Sequence, residues 1–158
     1  MCIRDSCDTD LTDGATQTCT LRAAIELANT AATTNQIKLS GITGSGTQTI
    51  LVGSNLPHIT KPVSIDGHDA NGNKVGINGQ NTVSDGLEIS GDSAAPSTIE
   101  NVSVYNFTSF NLSVNQSDSD SFANAHDIKN SYFGFEPDGT TIQSVSYTHL
   151  TLPTNREV

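Results

Sequence analysis

Val63-Ser-Ile-Asp-Gly67, Val75-Gly-Ile-Asn-Gly79 and Leu87-Glu-Ile-Ser-Gly91 repeat one pattern every twelve residues: aliphatic, spacer, isoleucine, polar residue, glycine. Apolar and polar positions that alternate over so short a run mark a strand with one buried face. The closing glycine, or an asparagine in its place, is expected to supply the left-handed backbone of a sharp corner. A second repeat sets Ile99-Glu-Asn-Val-Ser-Val104 against Ile128-Lys-Asn-Ser-Tyr-Phe133, at an interval longer than two of the first units. Ile37-Lys-Leu39, Thr49-Ile-Leu-Val52 and Phe110-Asn-Leu-Ser-Val114 are further strand candidates.

Short strands at twelve-residue spacing fit a β-sandwich or a parallel β-helix. A sandwich joins strands of differing composition through hairpins. A β-helix stacks like on like at about 4.8 Å. Near-identical units favour the all-β, right-handed parallel β-helix. With two units per coil of roughly 24 residues, Ile65 is expected under Ile89, and Ile89 near Val114. The chain then holds about four to five coils, with a corner loop absorbing residues 115–125.

Upstream, Cys19-Thr-Leu-Arg-Ala-Ala-Ile-Glu-Leu-Ala-Asn29 carries the one good helix signal in the chain. Thr20 is placed as N-cap. Leu21, Ala24, Ile25 and Ala28 fall at i, i+3, i+4 and i+7, one apolar stripe. Arg22 and Glu26 lie on the other face. So short a helix is marginal alone, so its stripe needs a surface to cover. The mouth of a β-helix offers one, because its unpaired strand edges invite polymerisation.

The 158 residues carry a formal net charge of −10, with no basic cluster. An acidic chain repels phosphate backbones, which argues against nucleic acid as a partner. No apolar run approaches the ~18–20 residues of a membrane span. The composition favours Ser, Thr, Asn and Gly and contains no Trp. Disorder is disfavoured all the same, because the aliphatic residues cluster at regular spacing. Cys7 and Cys19 flank an Asp/Thr/Gly-rich loop of a length that a disulfide can close, with two unpaired thiols as the alternative. Such a bond adds on the order of 3 kcal/mol and requires an oxidising compartment.

Cys19-Thr-Leu-Arg-Ala-Ala-Ile25 resembles the Cys-Ser-Leu-Arg-Glu-Ala-Ile motif that opens a class of bacterial secreted and surface right-handed β-helix proteins. Gly86-Leu-Glu-Ile-Ser-Gly91, Val104-Tyr-Asn-Phe107 and Tyr132-Phe-Gly-Phe-Glu-Pro-Asp-Gly139 are similar to later blocks of that family. The resemblance covers nearly all of Cys7 to Thr141. It implies an extracellular or cell-surface location, and Cys7 would match the family's frequent upstream cysteine. Ala23 departs from the pattern. It replaces the glutamate that would complete a capping box with Thr20, weakening the helix start by about 0.5–1 kcal/mol.

Both termini read differently. Met1-Cys-Ile-Arg-Asp-Ser6 resembles the translation of a transposase mosaic-end adapter, and residues 145–158 begin as the same adapter on the opposite strand. The expectation is adapter-derived sequence at 1–6 and 145–158 around a β-helix fragment at 7–144. Excluding Arg4, Asp5, Arg156 and Glu157 leaves the charge balance unchanged.

Candidate chemistry is sparse. Asp8-x-Asp10-x-x-Asp13-Gly14, Asp69-x-Asn71-x-Asn73 and Ser117-Asp-Ser-Asp-Ser121 look like calcium loops. The first fails the EF-hand spacing, and all three read better as solvated turns. Asn101 and Asn130 hold equivalent repeat positions and could form an asparagine ladder. Asn101-Val-Ser, Asn106-Phe-Thr, Asn111-Leu-Ser and Asn115-Gln-Ser match the glycosylation tripeptide, as chance allows in such a composition. His58, His68 and His126 are too dispersed for a local ligand pair. Asp66 has Asn78 and Ser90 as repeat equivalents, so no acidic row is expected. No catalytic residue, metal site or cofactor is implied.

The leading expectation is a non-catalytic, adhesin-like rod whose side contacts a surface glycan or another protein. The alternative is the N-terminal coils of a polysaccharide lyase or glycoside hydrolase with its catalytic residues elsewhere. A hydrolase needs paired carboxylates facing one another.

Overall fold

The computed structural model describes residues 20–31, 35–90, 96–115 and 126–143. Among them are one helix, α1 (Leu21–Thr30), and ten strands. The coils build three parallel sheets. Sheet A stacks β1 (Asn35–Lys38), β3 (Val63–Asp66), β6 (Thr98–Glu100) and β9 (Asp127–Lys129). Sheet B stacks β2 (Thr49–Leu51), β4 (Val75–Asn78), β7 (Val102–Tyr105) and β10 (Tyr132–Phe133). Sheet C pairs β5 (Asp85–Ser90) with β8 (Phe110–Asn115), and the first coil joins it through an Ile59–Ile89 bridge. The molecule is a parallel β-solenoid of about three turns. That is shorter than four to five coils, because each coil consumes more chain than two repeat units.

The register explains the difference. Ile65 lies between Ile37 and Ile99, not under Ile89. Ile89 lies between Ile59 and Val114. The three twelve-residue units are therefore β3, β4 and β5, the three sides of one coil. True stacking partners in sheet A run Ile37, Ile65, Ile99 and Ile128, each a whole coil from the next.

The interior is built from these in-register columns. Ile65, Ile77 and Ile99 have no solvent exposure, and Leu87, Ile89, Val102 and Val104 are buried beside them. Each such side chain contributes about 1.5–3 kcal/mol of transfer free energy. Parallel pairing of identical residues lets aliphatic side chains nest with little void.

Corners divide the work between asparagine and glycine. Asn101, Asn106 and Asn130 take the left-handed backbone, with φ of 62°, 59° and 47°. Gly67 and Gly79 do not, contrary to the sequence reading. A Cβ on Gly67 would lie 2.5 Å from the Asn101 carbonyl oxygen, and one on Gly79 would lie 2.6 Å from the Phe107 ring. Glycine stands there because the next coil passes too close for a side chain.

The cap joins the first coil through polar side chains as well as its stripe. Thr20 Oγ1 accepts from the Ala23 N–H at 3.1 Å. Leu21, Ile25 and Ala28 are buried in the common core, and Ala24 packs against it half-buried. Ala23 is also buried, at 4% exposure, so a glutamate there would lose solvent. Arg22 Nη2 donates to the carbonyls of Ser54 and Asn55 at 2.9 and 2.7 Å. Asn29 Nδ2 donates to the His58 carbonyl at 2.7 Å, while its Oδ1 accepts from the Thr60 N–H at 2.9 Å. Ile59 between them bonds the other way, to Glu88 and Ser90 of the second coil. The Asn29 amide thus takes the place that a neighbouring strand's peptide occupies in a parallel sheet.

Candidate binding face

The three sides of the solenoid differ in what covers them. Sheet B is clad by its own chain. After β10 the segment 134–143 folds back, with a Phe135–Ile142 antiparallel bridge. Gln143 N–H returns to the Gly134 carbonyl at 2.9 Å. The Ser103 hydroxyl, fully buried, donates to the Phe135 carbonyl. Pro137 lies 3.0 Å from where a Cβ on Gly76 would stand. Lys74 Nζ is 4.8 Å above the Tyr132 ring, against whose edge Gly139 rests.

The outer face of sheet C is cross-braced. Glu88 receives Asn115 Nδ2 at 3.0 Å and lies 3.4 Å from His58 Nε2, while His58 Nδ1 is 3.4 Å from the Ser90 hydroxyl. Serine, histidine and a carboxylate are the components of a hydrolytic relay. Both histidine contacts are longer than the roughly 2.6–3.2 Å such a relay uses. Glu88 is shared with Asn115. The arrangement ties three coils together.

Among the described residues, sheet A keeps an uncovered polar face. With Ile37, Ile65, Ile99 and Ile128 inward, the outward residues form two columns: Gln36, Ser64, Thr98, Asp127, and Lys38, Asp66, Glu100, Lys129. The second column reads plus, minus, minus, plus at a spacing of about 4.8 Å per rung. This corrects the sequence reading of Asp66. Its neighbours are Lys38 and Glu100, because Asn78 and Ser90 belong to other sides of its own coil.

The electrostatics of the face follow from local partners. Burial pushes the Asp66 carboxyl up. The Asn101 amide at 3.0 Å, the His68 N–H at 3.3 Å and the His68 ring outweigh it and hold the group below the usual carboxylate range. Asp127, hydrogen-bonded at 3.1 Å, and Glu100 beyond it hold the Lys129 ammonium above its ordinary value. Asn130 Nδ2 donates to Asn101 Oδ1 at 2.6 Å, so Asp66, Asn101 and Asn130 form one hydrogen-bonded column at the edge of this face.

The remaining candidates fall into place around it. Asp69, buried, spends Oδ1 on the N–H groups of Asn71 and Asn73 at 2.8 and 2.9 Å, and Oδ2 on Asn73 Nδ2. That loop is closed on itself. Asp138 likewise accepts two N–H groups, of Thr140 and Thr141, and the Thr141 hydroxyl, which hold its carboxyl at about 2. Among the described residues no group of three metal-ligating side chains occurs. Asn101, Asn106 and Asn111 are buried, which keeps three of the four glycosylation tripeptides from an attached sugar. The Oδ1 atoms of Asn106 and Asn111 have no hydrogen-bond partner. Cys7, Cys19 and the turns at 8–14 and 117–121 lie outside the described residues. No described helix is long and apolar enough to cross a membrane.

These features define a class, the parallel β-solenoid with an N-terminal helical cap. Comparison with protein-family models, curated proteins and solved structures returns no match.

Proposed function

We propose that this chain is a non-catalytic binding rod that works outside the cell and meets a glycan or a partner protein through the outer face of sheet A. The observation that carries the reading is the placement of the central carboxylates, paired in register on the outer face of sheet A. Asp66 is held low by Asn101 and His68, and Glu100 stands 3.6 Å from Lys129. Carboxylates oriented by these partners, beside Ser64 and Thr98, suit hydrogen bonding to sugar hydroxyls or peptide donors. A glycosidase acid needs a carboxyl held protonated near neutral pH, the opposite of the direction in which Asp66 is held. The extracellular setting is supported by the Cys7–Cys19 spacing and by the family resemblance of residues 19–25.

The test is to titrate the full chain with a panel of neutral, acidic and amino-sugar oligosaccharides, following backbone amides by NMR. Shifts are expected at Ser64, Asp66, Thr98 and Glu100. A Thr98→Arg variant, which blocks the face without entering the core, is expected to abolish them. Shifts confined to sheet C would move the binding surface. Calcium-dependent release of unsaturated uronides from polygalacturonate, with measurable turnover, would overturn the non-catalytic reading.

A further inference from the structure

The sequence holds two Asn–Gly pairs, Asn71-Gly72 and Asn78-Gly79, and the fold treats them in opposite ways. Asn–Gly is the dipeptide most open to succinimide formation, because glycine presents no side chain to hinder attack by its nitrogen on the preceding amide. Asn71 and Gly72 are both exposed at a turn, and nothing lies within 4 Å of where a Cβ on Gly72 would stand. The Gly72 N–H donates to the Asp69 carbonyl at 3.1 Å, a bond local to that exposed turn which must open before the nitrogen can attack. Gly79 is buried. Its N–H is a rung bond to the Tyr105 carbonyl at 3.0 Å, and the Phe107 ring and the Asn106 carbonyl crowd its α-carbon. The Asn78 side chain is itself held by the Gln80 N–H at 2.7 Å.

We propose that Asn71 is a site of spontaneous deamidation, while Asn78 is protected by the coil above it. The Gly72 nitrogen, losing its proton to solvent base, attacks Asn71 Cγ; the Cγ–N bond breaks and ammonia leaves. Water then opens the succinimide at either carbonyl, giving aspartate or isoaspartate. One water is consumed and one ammonia released, with no redox change.

The modification acts on a specific contact. Asn71 Nδ2 donates to the Gly44 carbonyl at 2.9 Å, one of the bonds that hold the loop between β1 and β2 to the second coil. The Ala70 N–H to the Ile42 carbonyl at 3.0 Å is its neighbour in mid-loop, and bonds at Leu39 and Gln48 fix the loop's two ends. Deamidation removes the first donor and adds a negative charge beside Asp69. Isoaspartate also lengthens the main chain inside the turn that Asp69 closes. Asn71 is therefore a clock on the 40–48 loop.

The full chain is incubated at mildly alkaline pH, native and in urea, and mapped by mass spectrometry that separates isoaspartate from aspartate. In urea both sites are expected to convert at similar rates. In the native protein Asn71 is expected to convert at least about tenfold faster, the ratio that an opening cost of only about 1.4 kcal/mol at Asn78 produces. Equal native rates would overturn the proposal, as would an unmodified Asn71 in protein whose urea-unfolded form converts there. An Asn71→Asp variant is expected to speed hydrogen exchange in residues 40–48, and unchanged exchange would remove the clock from that loop.

Discussion

Replacing Asn29 with alanine tests whether a side-chain amide seals the first coil of sheet C. The wild-type amide satisfies two backbone groups at once, the His58 carbonyl at 2.7 Å and the Thr60 N–H at 2.9 Å. Both lie at an exposed edge, so water replaces them in part. At about 0.5–1.5 kcal/mol of net stability per hydrogen bond, Asn29→Ala is expected to cost about 1–2 kcal/mol. With a urea m-value of about 1.5 kcal/mol/M, the unfolding midpoint falls by roughly 1 M. Asn29→Asp keeps the acceptor for Thr60 but faces the His58 carbonyl with a carboxylate, so it is expected to cost at least as much. The local readout is the Thr60 amide, whose hydrogen exchange should accelerate in the alanine variant and stay slow in the aspartate one. A loss below about 0.5 kcal/mol, the ordinary scatter of surface substitutions, with Thr60 exchange unchanged, would refute the assignment.

Gly67→Ala places a Cβ 2.5 Å from the Asn101 carbonyl oxygen and closer still to Val102 Cγ1; a loss of about 1–3 kcal/mol or more is expected in chemical denaturation. Asn101→Ala removes bonds to Asp66 and Asn130 and strains a residue at φ 62°. It should cost about 2–4 kcal/mol, of which Asn101→Gly recovers the backbone part of about 1–2 kcal/mol; equal losses in the two variants would contradict this. Burial holds the His126 imidazole below its ordinary value, and its Nδ1 accepts the Ser97 N–H at 3.0 Å. The unfolded chain therefore binds the proton more readily, so stability should fall as pH drops through the unfolded value near 6.5 and level off below the folded one. A His126→Gln variant should flatten that limb of the stability–pH curve.

The class of fold is legible because parallel stacking writes itself as repetition. Like residues pair with like, so Ile99 against Ile128 can be read directly and is the observed register. The error lies in equating the twelve-residue period with half a coil. Nothing in Val63-Ser-Ile-Asp-Gly67 or Val75-Gly-Ile-Asn-Gly79 tells whether two such units are neighbours around a coil or along the axis. The interval from Ile99 to Ile128 is the available signal, being too long for two units. The charged column on sheet A is hidden for the same reason, since Asp66 and Glu100 lie a full coil apart in sequence and meet only in the correct register. Gly67 and Gly79 read as conformational although their constraint is steric, set by a coil that sequence alone does not place. The clamps from Arg22 and Asn29 are invisible because their partners are main-chain atoms, which any sequence supplies.

A motif that spans one side of a three-sided coil makes length and orientation inseparable. Gaining or losing a single unit of the kind at 63–67 would turn everything downstream by a third of a revolution, carrying the Asp66–Glu100 pair's later neighbours onto a different flank. Only changes in multiples of three units would extend such a solenoid while leaving the charged face of sheet A pointing the same way.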